Sequence, residues 1–388
     1  MRMLHTSDWH VGKPLRGRSR AAEHEEVLAE IADVARRDAV DLAIVAGDLF
    51  DSATPSPESE RIVYRGLLDL AEGNRPVVVV AGNHDSAQRL GAVAPLSQAN
   101  GIHVASAVRP PGDGGVVELV VGGQPVQVAL LPFPSQRYVV TADLLLSGDA
   151  ADAHAAYADR VVRILRALTE SFRADTVNLV VAHLMVMGGA MGGGERGAHT
   201  IFDYWVPATA FPAATQYVAL GHLHRRQQLA GPAPLHYCGS PLQLDFGETS
   251  NEPAVNLVDV HPGVPADVRP VVLTRGRRLR TLRGTLADVV ARADAAADDH
   301  LRVVLDEPAR AGLADEVRSR LPNAVEVVLA PRGDAEAAPR SDPHRLGRTP
   351  HELVAEYLSE HDAHDERVVA LFDELVDELL RDVSEPAR

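Results

Sequence analysis

Five short fragments of the sequence carry aspartate, asparagine and histidine in combinations that could bind metal ions. A single histidine is more often a structural or solvated residue than a ligand, and a single Gly-Asp pair is usually a turn. The presence of all five in one chain is therefore more informative than any one of them. In chain order they are DWH at 8–10, GDLFD at 47–51, GNHD at 82–85, a histidine at 183 after NLVVA, and GHLH at 221–224.

The chemistry of these fragments is coherent. Oxygen and imidazole ligands without thiolate suit manganese, iron or catalytic zinc better than structural zinc. Glycines before Asp48, Asn83 and His222 allow tight turns that bring the backbone close to an ion. The ligands suffice for two metal ions, and a pair roughly 3.5–4 Å apart activates a water and binds both the attacking and leaving oxygens at phosphorus. The fragments predict metal-dependent hydrolysis of a phosphate ester.

Predicted strands place these fragments along one edge of a sheet. Polar residues follow the carboxyl ends of strands at Asp8, Asp48, Asn83, His183 and His222, where ligands gather in layered α/β folds. Early strands alternate with helices, as in parallel βαβ units, and later strands follow one another more directly. Helical periodicity covers residues 19–37, 56–70 and 155–172. Strands are predicted at 3–6, 41–46, 77–81, 126–131, 176–182, 217–220, 235–238, 255–260 and 268–273.

Three further parts follow this α/β pattern. The arginine-rich stretch RGRRLRTLR at 275–283 ends it, and a helix–strand–helix–strand unit follows up to residue 329. Residues rich in Pro, Gly, Asp and Arg then predict a linker. Thr349 and Pro350 begin a helix, and an apolar stripe at 368–380 predicts a second, amphipathic one. This pair either folds back on the body or docks on a partner. The predicted domains are 1–275, 276–335, a linker at 336–348, and helices at 349–388.

The composition is typical of a globular protein without membrane-spanning segments. The 388 residues are 46% hydrophobic and 24% charged, which suits two or three globular domains. No apolar run approaches the roughly 20 residues of a membrane span. Asp8 and His10 lie where a signal peptide needs an apolar centre. The single cysteine, Cys238, excludes an internal disulfide framework and is expected to be a small buried residue. We expect a cytoplasmic protein with no membrane association.

Charge is distributed unevenly along the chain. The net charge of −16 argues against coating nucleic acid by bulk attraction, yet residues 342–388 alone hold 13 acidic residues and 5 arginines. The remainder could still present a local basic surface. KPLRGRSR brings Lys13, Arg16, Arg18 and Arg20 close to the DWH fragment. These side chains either contact DNA phosphates or lie on a solvated loop. The glycine-rich GGAMGGGERG at 188–197 predicts a mobile loop beside the same site.

The order of the five fragments resembles that of calcineurin-like metallophosphoesterases. LHTSDWHVGK, VAGDLFD, VVAGNHDS, VALGHLHR and YCGSPLQLDFGE are in addition similar to the SbcD family, the nuclease subunits of bacterial SbcC–SbcD complexes. The resemblance extends over the whole length of the chain. It implies a calcineurin-like β-sandwich flanked by helices, with a small α/β capping domain that binds DNA and C-terminal helices that bind the partner.

The resemblance also implies a role for each site residue. His84 stays off the metals and faces the phosphate, where it stabilises charge or protonates the leaving oxygen. Asp51, which closes the GDxxD motif, is expected to orient His84, and Asp85 is expected to hold the turn through backbone amides. One metal would be held by Asp8, His10, Asp48 and His224, and the other by Asp48, Asn83, His183 and His222, with Asp48 bridging.

The family further implies a manganese-dependent nuclease. It would cleave double-stranded DNA ends and hairpins, as exonuclease and endonuclease, with a water activated by two metals, in DNA repair, recombination and replication. A homodimer bound to an SbcC-type ATPase is implied, with the stripe at 368–380 on that partner. Two alternatives remain open: a metallophosphoesterase acting on small phosphodiesters or phosphomonoesters, and a non-enzymatic DNA-end tether. The C-terminal unit argues against the first, and the complete ligand set with His84 argues against the second.

Overall fold

The computed structural model describes residues 1–135, 157–195 and 205–330, together with a few helical residues between 354 and 372. The chain forms two compact units, Met1–Arg196 with Asp203–Ala330, and Gly197–Phe202 with Pro331–Arg388. In the second unit, the described residues 354, 357–358, 367–368 and 371–372 are helical. The predicted linker at 336–348 and most of the predicted apolar stripe at 368–380 lie outside the described residues.

The described part of the first unit contains strands and helices that alternate from β1 to β4, whereas later strands mostly follow one another. The strands are β1 (Arg2–Thr6), β2 (Leu42–Val45), β3 (Val77–Val80), β4 (Ile102–Ala105), β5 (Val116–Val121), β6 (Gln124–Leu131), β7 (Val177–His183), β8 (Met185–Val186), β9 (Trp205–Val206), β10 (Tyr217–Gly221), β11 (Gln227–Leu229), β12 (Leu235–Tyr237), β13 (Ala254–His261), β14 (Val264–Val272), β15 (Leu279–Gly284), β16 (His300–Leu305) and β17 (Ala324–Leu329). The α-helices are α1 (Ala21–Arg37), α2 (Pro57–Leu70), α3 (Ala87–Gln98), α4 (Tyr157–Thr169), α5 (Leu286–Val290) and α6 (Leu313–Arg320).

Two six-stranded sheets dominate this unit. The first has the order β14-β13-β1-β2-β3-β4, with β1 to β4 parallel and β13 and β14 joined in antiparallel fashion. The second has the order β11-β12-β10-β7-β6-β5, with its four middle strands parallel. Parallel strands end at the same edge of a sheet, so the loops that follow them gather there.

The two sheets pack face to face and are covered by helices outside. A central apolar cluster lies between the sheets and includes Val78 and Val80 of β3. Val77 and Val79 point the other way, into a second cluster formed with α1 and α2. The four consecutive valines are therefore explained by burial on both faces. A third cluster lies between α4 and the second sheet. The arrangement is the predicted β-sandwich flanked by helices.

A small three-stranded parallel sheet, β15-β16-β17, follows the sandwich and packs with α5 and α6 around its own apolar cluster. Its contacts with the sandwich include two polar ones that involve α1 and the loop before it. Glu23 of α1 lies 2.6 Å from His300 Nε2 on β16. The Arg18 guanidinium donates to the carbonyl oxygens of Pro322 and Ala324 at 3.1 and 3.3 Å. These contacts join the small sheet to the loop and helix that follow β1.

The predicted elements are largely confirmed. All nine predicted strands of the sandwich are present, with ends shifted by a few residues. The helix α3 was not predicted, and neither were the strands β4, β5, β8, β9, β11 and β15. Among the described residues, no helix is long and apolar enough to cross a membrane.

Candidate metal centre

The five fragments meet where the two sheets present the carboxyl ends of their parallel strands. DWH follows β1, GDLFD follows β2 and GNHD follows β3 in the first sheet. His183 ends β7 and GHLH begins at the last residue of β10 in the second. Trp9, between the two ligand candidates of the first fragment, is fully buried in the core and anchors that turn. The sandwich therefore brings together residues that are up to 216 positions apart in sequence.

The backbone of these turns is strained at the functional side chains themselves. Four non-glycine residues have positive φ angles, namely Asp8 at 53°, His10 at 46°, Asp48 at 52° and His222 at 102°. Such conformations cost on the order of 1–3 kcal/mol each and cluster at active sites, where the surrounding fold holds them in place. With these positive φ angles, the four side chains point into the centre at the strand ends.

Two glycines permit the strand ends to approach each other. A Cβ on Gly47, whose φ is +93°, would overlap the ring of His183. A Cβ on Gly82 would overlap both the carboxylate and the backbone nitrogen of Asp48. The glycines that precede Asp48 and Asn83 are thus required by close packing as well as by turn geometry.

Asp8, His10 and His224 form the first ligand group. One ligand atom from each lies within 4.8 Å of the others, and all three side chains are buried. The Nε2 atoms of His10 and His224 are 3.1 Å apart. Asp8 Oδ1 accepts a hydrogen bond from the backbone nitrogen of His222 at 2.9 Å, which ties β1 to the second sheet.

Asp48, His183 and His222 form the second ligand group, again with ligand atoms within 4.8 Å. Asn83 Oδ1 joins it, at 3.0 Å from His183 Nε2 and 2.7 Å from His222 Nδ1. Asp48 Oδ2 lies 3.4 Å from His183 Nε2 and 3.4 Å from His10 Nε2. Asp48 therefore lies between the two groups, at the position a bridging carboxylate would occupy.

The donor atoms fit a pair of divalent cations. The outer ring nitrogens of two ligand histidines already have acceptors, since His183 Nδ1 lies 2.8 Å from the Ala46 carbonyl oxygen and His224 Nδ1 lies 2.7 Å from Glu248 Oε1. Their inner nitrogens converge on carboxylate, amide and imidazole atoms. The buried Cys238 is free, as predicted, and its Sγ lies 3.0 Å from Ser7 Oγ. Nitrogen and oxygen donors without thiolate match catalytic manganese, iron or zinc.

Electrostatic coupling within the centre is strong. Burial alone would raise the pKa of Asp48, but His183 and His10 hold it well below its usual range. Burial would lower the pKa of His183, whereas the Asp48 carboxylate raises it to about 9. Each charge is therefore stabilised mainly by its opposite, as expected for groups that bind a cation by exchanging it for protons.

Asp85 connects two of the turns. Its carboxylate accepts hydrogen bonds from the backbone nitrogens of Gly82, Phe50 and Leu49 at 2.9, 3.1 and 3.3 Å. These are the backbone contacts expected of a residue that holds the turn. Burial and the nearby Asp48 carboxylate raise the pKa of Asp85 to about 7 despite these hydrogen bonds.

His84 lies beside the first group and is 7% exposed. Its Nδ1 is 2.8 Å from the main-chain carbonyl oxygen of Asp51. The Asp51 carboxylate faces His10 Nδ1 at 3.6 Å and Lys13 Nζ at 3.4 Å. From the sequence we expected Asp51 to orient His84; the hydrogen bond to His84 is made by the Asp51 main chain, and the Asp51 carboxylate faces His10 and Lys13.

The four basic residues after His10 have different surroundings. Arg20 is 3% exposed, pairs with Glu23 and donates to the Gln243 carbonyl oxygen at 2.5 Å. Arg16 pairs with Asp245 at 2.9 Å and with Glu326 at 3.1 Å. Lys13 pairs with Asp51, and Arg18 is exposed and donates to the two carbonyl oxygens of the small sheet. Lys13, Arg16 and Arg20 thus have acidic partners within the protein.

Phe133, Glu195 and Glu248 also lie around the centre and were not predicted as site residues. A groove of about 510 Å³ opens beside Asn83, and Phe133 lines it while stacking on the His222 ring at 5.9 Å. Glu195 and Glu248 both contact His224 from outside the ligand groups. Glu248 ends the DFGE segment, which resembles the SbcD family. This resemblance is the one feature of the sequence that could have indicated Glu248. Gly192 and its neighbours, predicted as a loop beside the site, lie against His224.

This fold and this arrangement of ligands define a calcineurin-like phosphoesterase, and the model of that family matches residues 1–155. The chain is 37% identical over 286 residues to the SbcD subunit of the SbcCD nuclease of Bacillus subtilis, covering 72% of this chain and 71% of that protein. It is 31% identical over 313 residues to the SbcD subunit of the Escherichia coli K12 nuclease, covering 76% and 74%. The chain belongs to the SbcD family of SbcCD nuclease subunits.

A solved dimetal phosphatase from Danio rerio is 14% identical, with a TM-score of 0.42 over 71% of this chain and 96% of its own. The two sequence relatives, and not this structural likeness, carry the family assignment.

Proposed function

We propose that this chain is a metal-dependent nuclease that hydrolyses phosphodiester bonds at double-stranded DNA ends and hairpins. The observation that carries the proposal is the convergence of seven buried or half-buried ligand side chains, and His84 lies close enough to His10 and Asp48 to be a further ligand candidate by distance alone. Membership of a nuclease family gives the centre its substrate class. Acting on both ends and hairpins, the enzyme would serve DNA repair, recombination and replication.

The proposed ligand sets follow the two groups. Asp48 is shared because its Oδ2 is equidistant from His10 Nε2 and His183 Nε2, at 3.4 Å. We propose manganese as the cation, which accepts the mixed nitrogen and oxygen donors. When bound, two such cations supply positive charge at phosphorus and lower the pKa of a water molecule. The sets are Asp8, His10, Asp48 and His224 for one cation, and Asp48, Asn83, His183 and His222 for the other.

His84 is proposed to act on the substrate and not on the cations. The Asp51 carbonyl oxygen holds Nδ1, so Nε2 is the ring nitrogen left to meet a phosphate oxygen or the leaving oxygen. Asp51 thereby positions His84 through its main chain and His10 through its carboxylate. Imidazole side chains commonly transfer a proton to or from a reacting group.

DNA phosphates are proposed to bind beside the small sheet. A cavity of about 420 Å³ lies between the loop after β1 and this sheet, and Arg18, Arg277 and Arg320 line it together with a single acidic residue, Asp294. A concentration of guanidinium groups favours phosphate contacts. This supports the assignment of residues 276–335 as a DNA-binding capping domain, with Arg18 and Lys13 on the sandwich side.

We propose two protein partners, one from the names of the relatives and one from an exposed apolar surface between α2 and α3. The relatives are subunits of SbcCD nucleases, so we propose an SbcC-type ATPase partner that binds residues 349–388 in the cytoplasm. A homodimer is supported by an apolar pocket between α2 and α3, where Leu68 and Leu96 are 46% and 73% exposed beside Tyr64 and Val93. Exposed apolar patches of this kind mark protein interfaces.

One experiment tests the proposed activity. The purified protein, with and without an SbcC-type ATPase and ATP, is given a labelled hairpin duplex, a linear duplex and a cyclic nucleotide in a panel of divalent metals. Manganese-dependent cleavage of the duplexes supports the proposal. Rapid turnover of the cyclic nucleotide with none of either duplex would replace it by a small-substrate phosphoesterase. Tight duplex binding without cleavage in any metal would indicate a tether.

A further inference from the structure

Glu248 is a fully buried carboxylate at the edge of the metal centre. It ends the short helical turn Phe246–Glu248 and is 0% exposed. Oε1 lies 2.7 Å from His224 Nδ1, and Oε2 accepts a hydrogen bond from the Leu244 backbone nitrogen at 2.7 Å. Both carboxylate oxygens are thus engaged by groups that hold the residue in one orientation.

The contact determines which nitrogen of His224 faces the centre. An ionised carboxylate is an acceptor only, so Nδ1 must donate its proton to Oε1. The lone pair for a cation is then on Nε2, which points towards Asp8 and His10. We infer that Glu248 is a positioning residue that fixes the ring and the tautomer of His224 for a divalent cation. The inference rests on the proposed function, which it deepens.

The surrounding backbone encloses the Glu248–His224 pair. Glu195 Oε1 accepts a hydrogen bond from the His224 backbone nitrogen at 3.0 Å and from Gly192 at 2.6 Å. A Cβ on Gly194 would overlap the Glu248 carboxylate. The glycines at 192–194 therefore pack directly against the Glu248–His224 pair and restrict rotation of both side chains.

A glutamine at position 248 could not satisfy both contacts. If its amide oxygen accepts from Leu244, its NH₂ group meets His224 Nδ1 and moves the ring proton to Nε2, the cation-facing atom. If the oxygen instead accepts from His224, the NH₂ group opposes the Leu244 N–H. Glu248→Gln thus changes charge and hydrogen-bond direction with almost no change in shape.

The test is calorimetric titration of the metal-free full-length protein with Mn²⁺. For E248Q we expect binding weakened about 10–100-fold at one of the two sites, the usual effect of losing an outer partner of a ligand histidine. The matched control is E23Q, which alters a largely buried Glu–His pair outside the centre, with Glu23 2.6 Å from His300. Its Mn²⁺ affinity should stay within about twofold of the wild type, well below the 10-fold threshold.

A double-mutant cycle with H224A separates positioning from general stability. If Glu248 acts through His224, E248Q weakens Mn²⁺ binding no further once His224 is alanine. E248D, which withdraws the carboxylate by one CH₂ group, is measured in parallel in case E248Q does not fold.

Either folded variant with wild-type Mn²⁺ affinity at both sites, or additive losses in the cycle, overturns the inference. Wild-type protein that binds two Mn²⁺ ions but leaves DNA intact would overturn the proposed nuclease and leave the role of Glu248 standing.

Discussion

At the scale of single residues, seven side chains of the centre would hold cations, and one, His84, would act on the substrate. His84 belongs to neither complete ligand set, yet its ring centroid lies 4.6 Å from that of His10. Its backbone nitrogen donates to Asp48 Oδ1 at 2.9 Å. The same residue therefore supports the bridging carboxylate through its main chain and presents its ring to the substrate.

Replacing His84 by alanine should separate these functions. We expect cleavage to fall about 10²–10⁴-fold, the usual contribution of a general acid or charge-stabilising imidazole. Metal content should be unchanged, because the His84 backbone nitrogen still supports Asp48. The measurements are cleavage of a labelled duplex and metal analysis of the purified variant. His103→Ala, on β4 away from the centre, is the control. Unreduced cleavage by His84→Ala would remove His84 from the catalytic role.

Gly82→Ala should damage the centre through packing alone. The added Cβ would overlap the Asp48 carboxylate and backbone nitrogen, and overpacking of this kind costs about 1–3 kcal/mol. Mn²⁺ affinity should fall together with the free energy of unfolding, measured by urea denaturation. Gly112→Ala, where a Cβ meets nothing within 4 Å, should change stability by less than about 0.5 kcal/mol. Equal stability of the two variants would contradict this account of the turn.

The ligand candidates could be predicted from sequence because each directly follows a strand and belongs to a short motif. Glu248 could not, since its contact with His224 depends on how a separate turn folds back onto the GHLH loop. The hydrogen bond between the Asp51 carbonyl oxygen and His84 could not be predicted either. Every residue type has a main-chain carbonyl group, so the sequence pointed to the Asp51 carboxylate as the partner of His84.

At the scale of elements, prediction succeeded where apolar periodicity was strong. The helix α3 was missed because it contains Gly91 and Pro95 and buries little besides Leu90. The strand β15 was hidden within an arginine-rich stretch, where only Leu279 and Leu282 are buried. The helix α3 packs against β4 and the strand β15 pairs with β16, and the pattern within a single element does not reveal such partners.

The contact between α1 and β16 makes a testable prediction about pH. Burial would raise the pKa of Glu23, but hydrogen bonds from His300 and Arg20 lower it to about 2. A depressed carboxyl pKa stabilises the fold above its usual value of about 4.3 and ceases to do so as the pH falls towards 2.

Glu23→Gln should therefore cost about 1–3 kcal/mol at neutral pH, and the difference from wild type should shrink between about pH 4 and pH 2. Urea unfolding of both proteins over this range is the measurement. A difference that stays constant with pH would show that the Glu23 charge does not join the small sheet to α1.

At the scale of the whole molecule, the metal centre and the partner-binding segment are proposed to be separate. The ligand candidates all precede residue 225, and the second unit contributes none of them. A chain ending at residue 340 should thus bind Mn²⁺ with the affinity of the full chain and lose its binding to an SbcC-type ATPase. Calorimetry with each ligand measures both. Unchanged ATPase binding would place the interface elsewhere.

The positions of the ligand candidates along the chain have a consequence for synthesis. Asp8 and His10 leave the ribosome first, whereas His222 and His224 follow more than two hundred residues later, from the other sheet. A growing chain shorter than this lacks two imidazoles and the sheet that presents them. A truncated or incompletely translated chain is thus expected not to cleave DNA. The order of translation itself delays nuclease activity until the sandwich is complete.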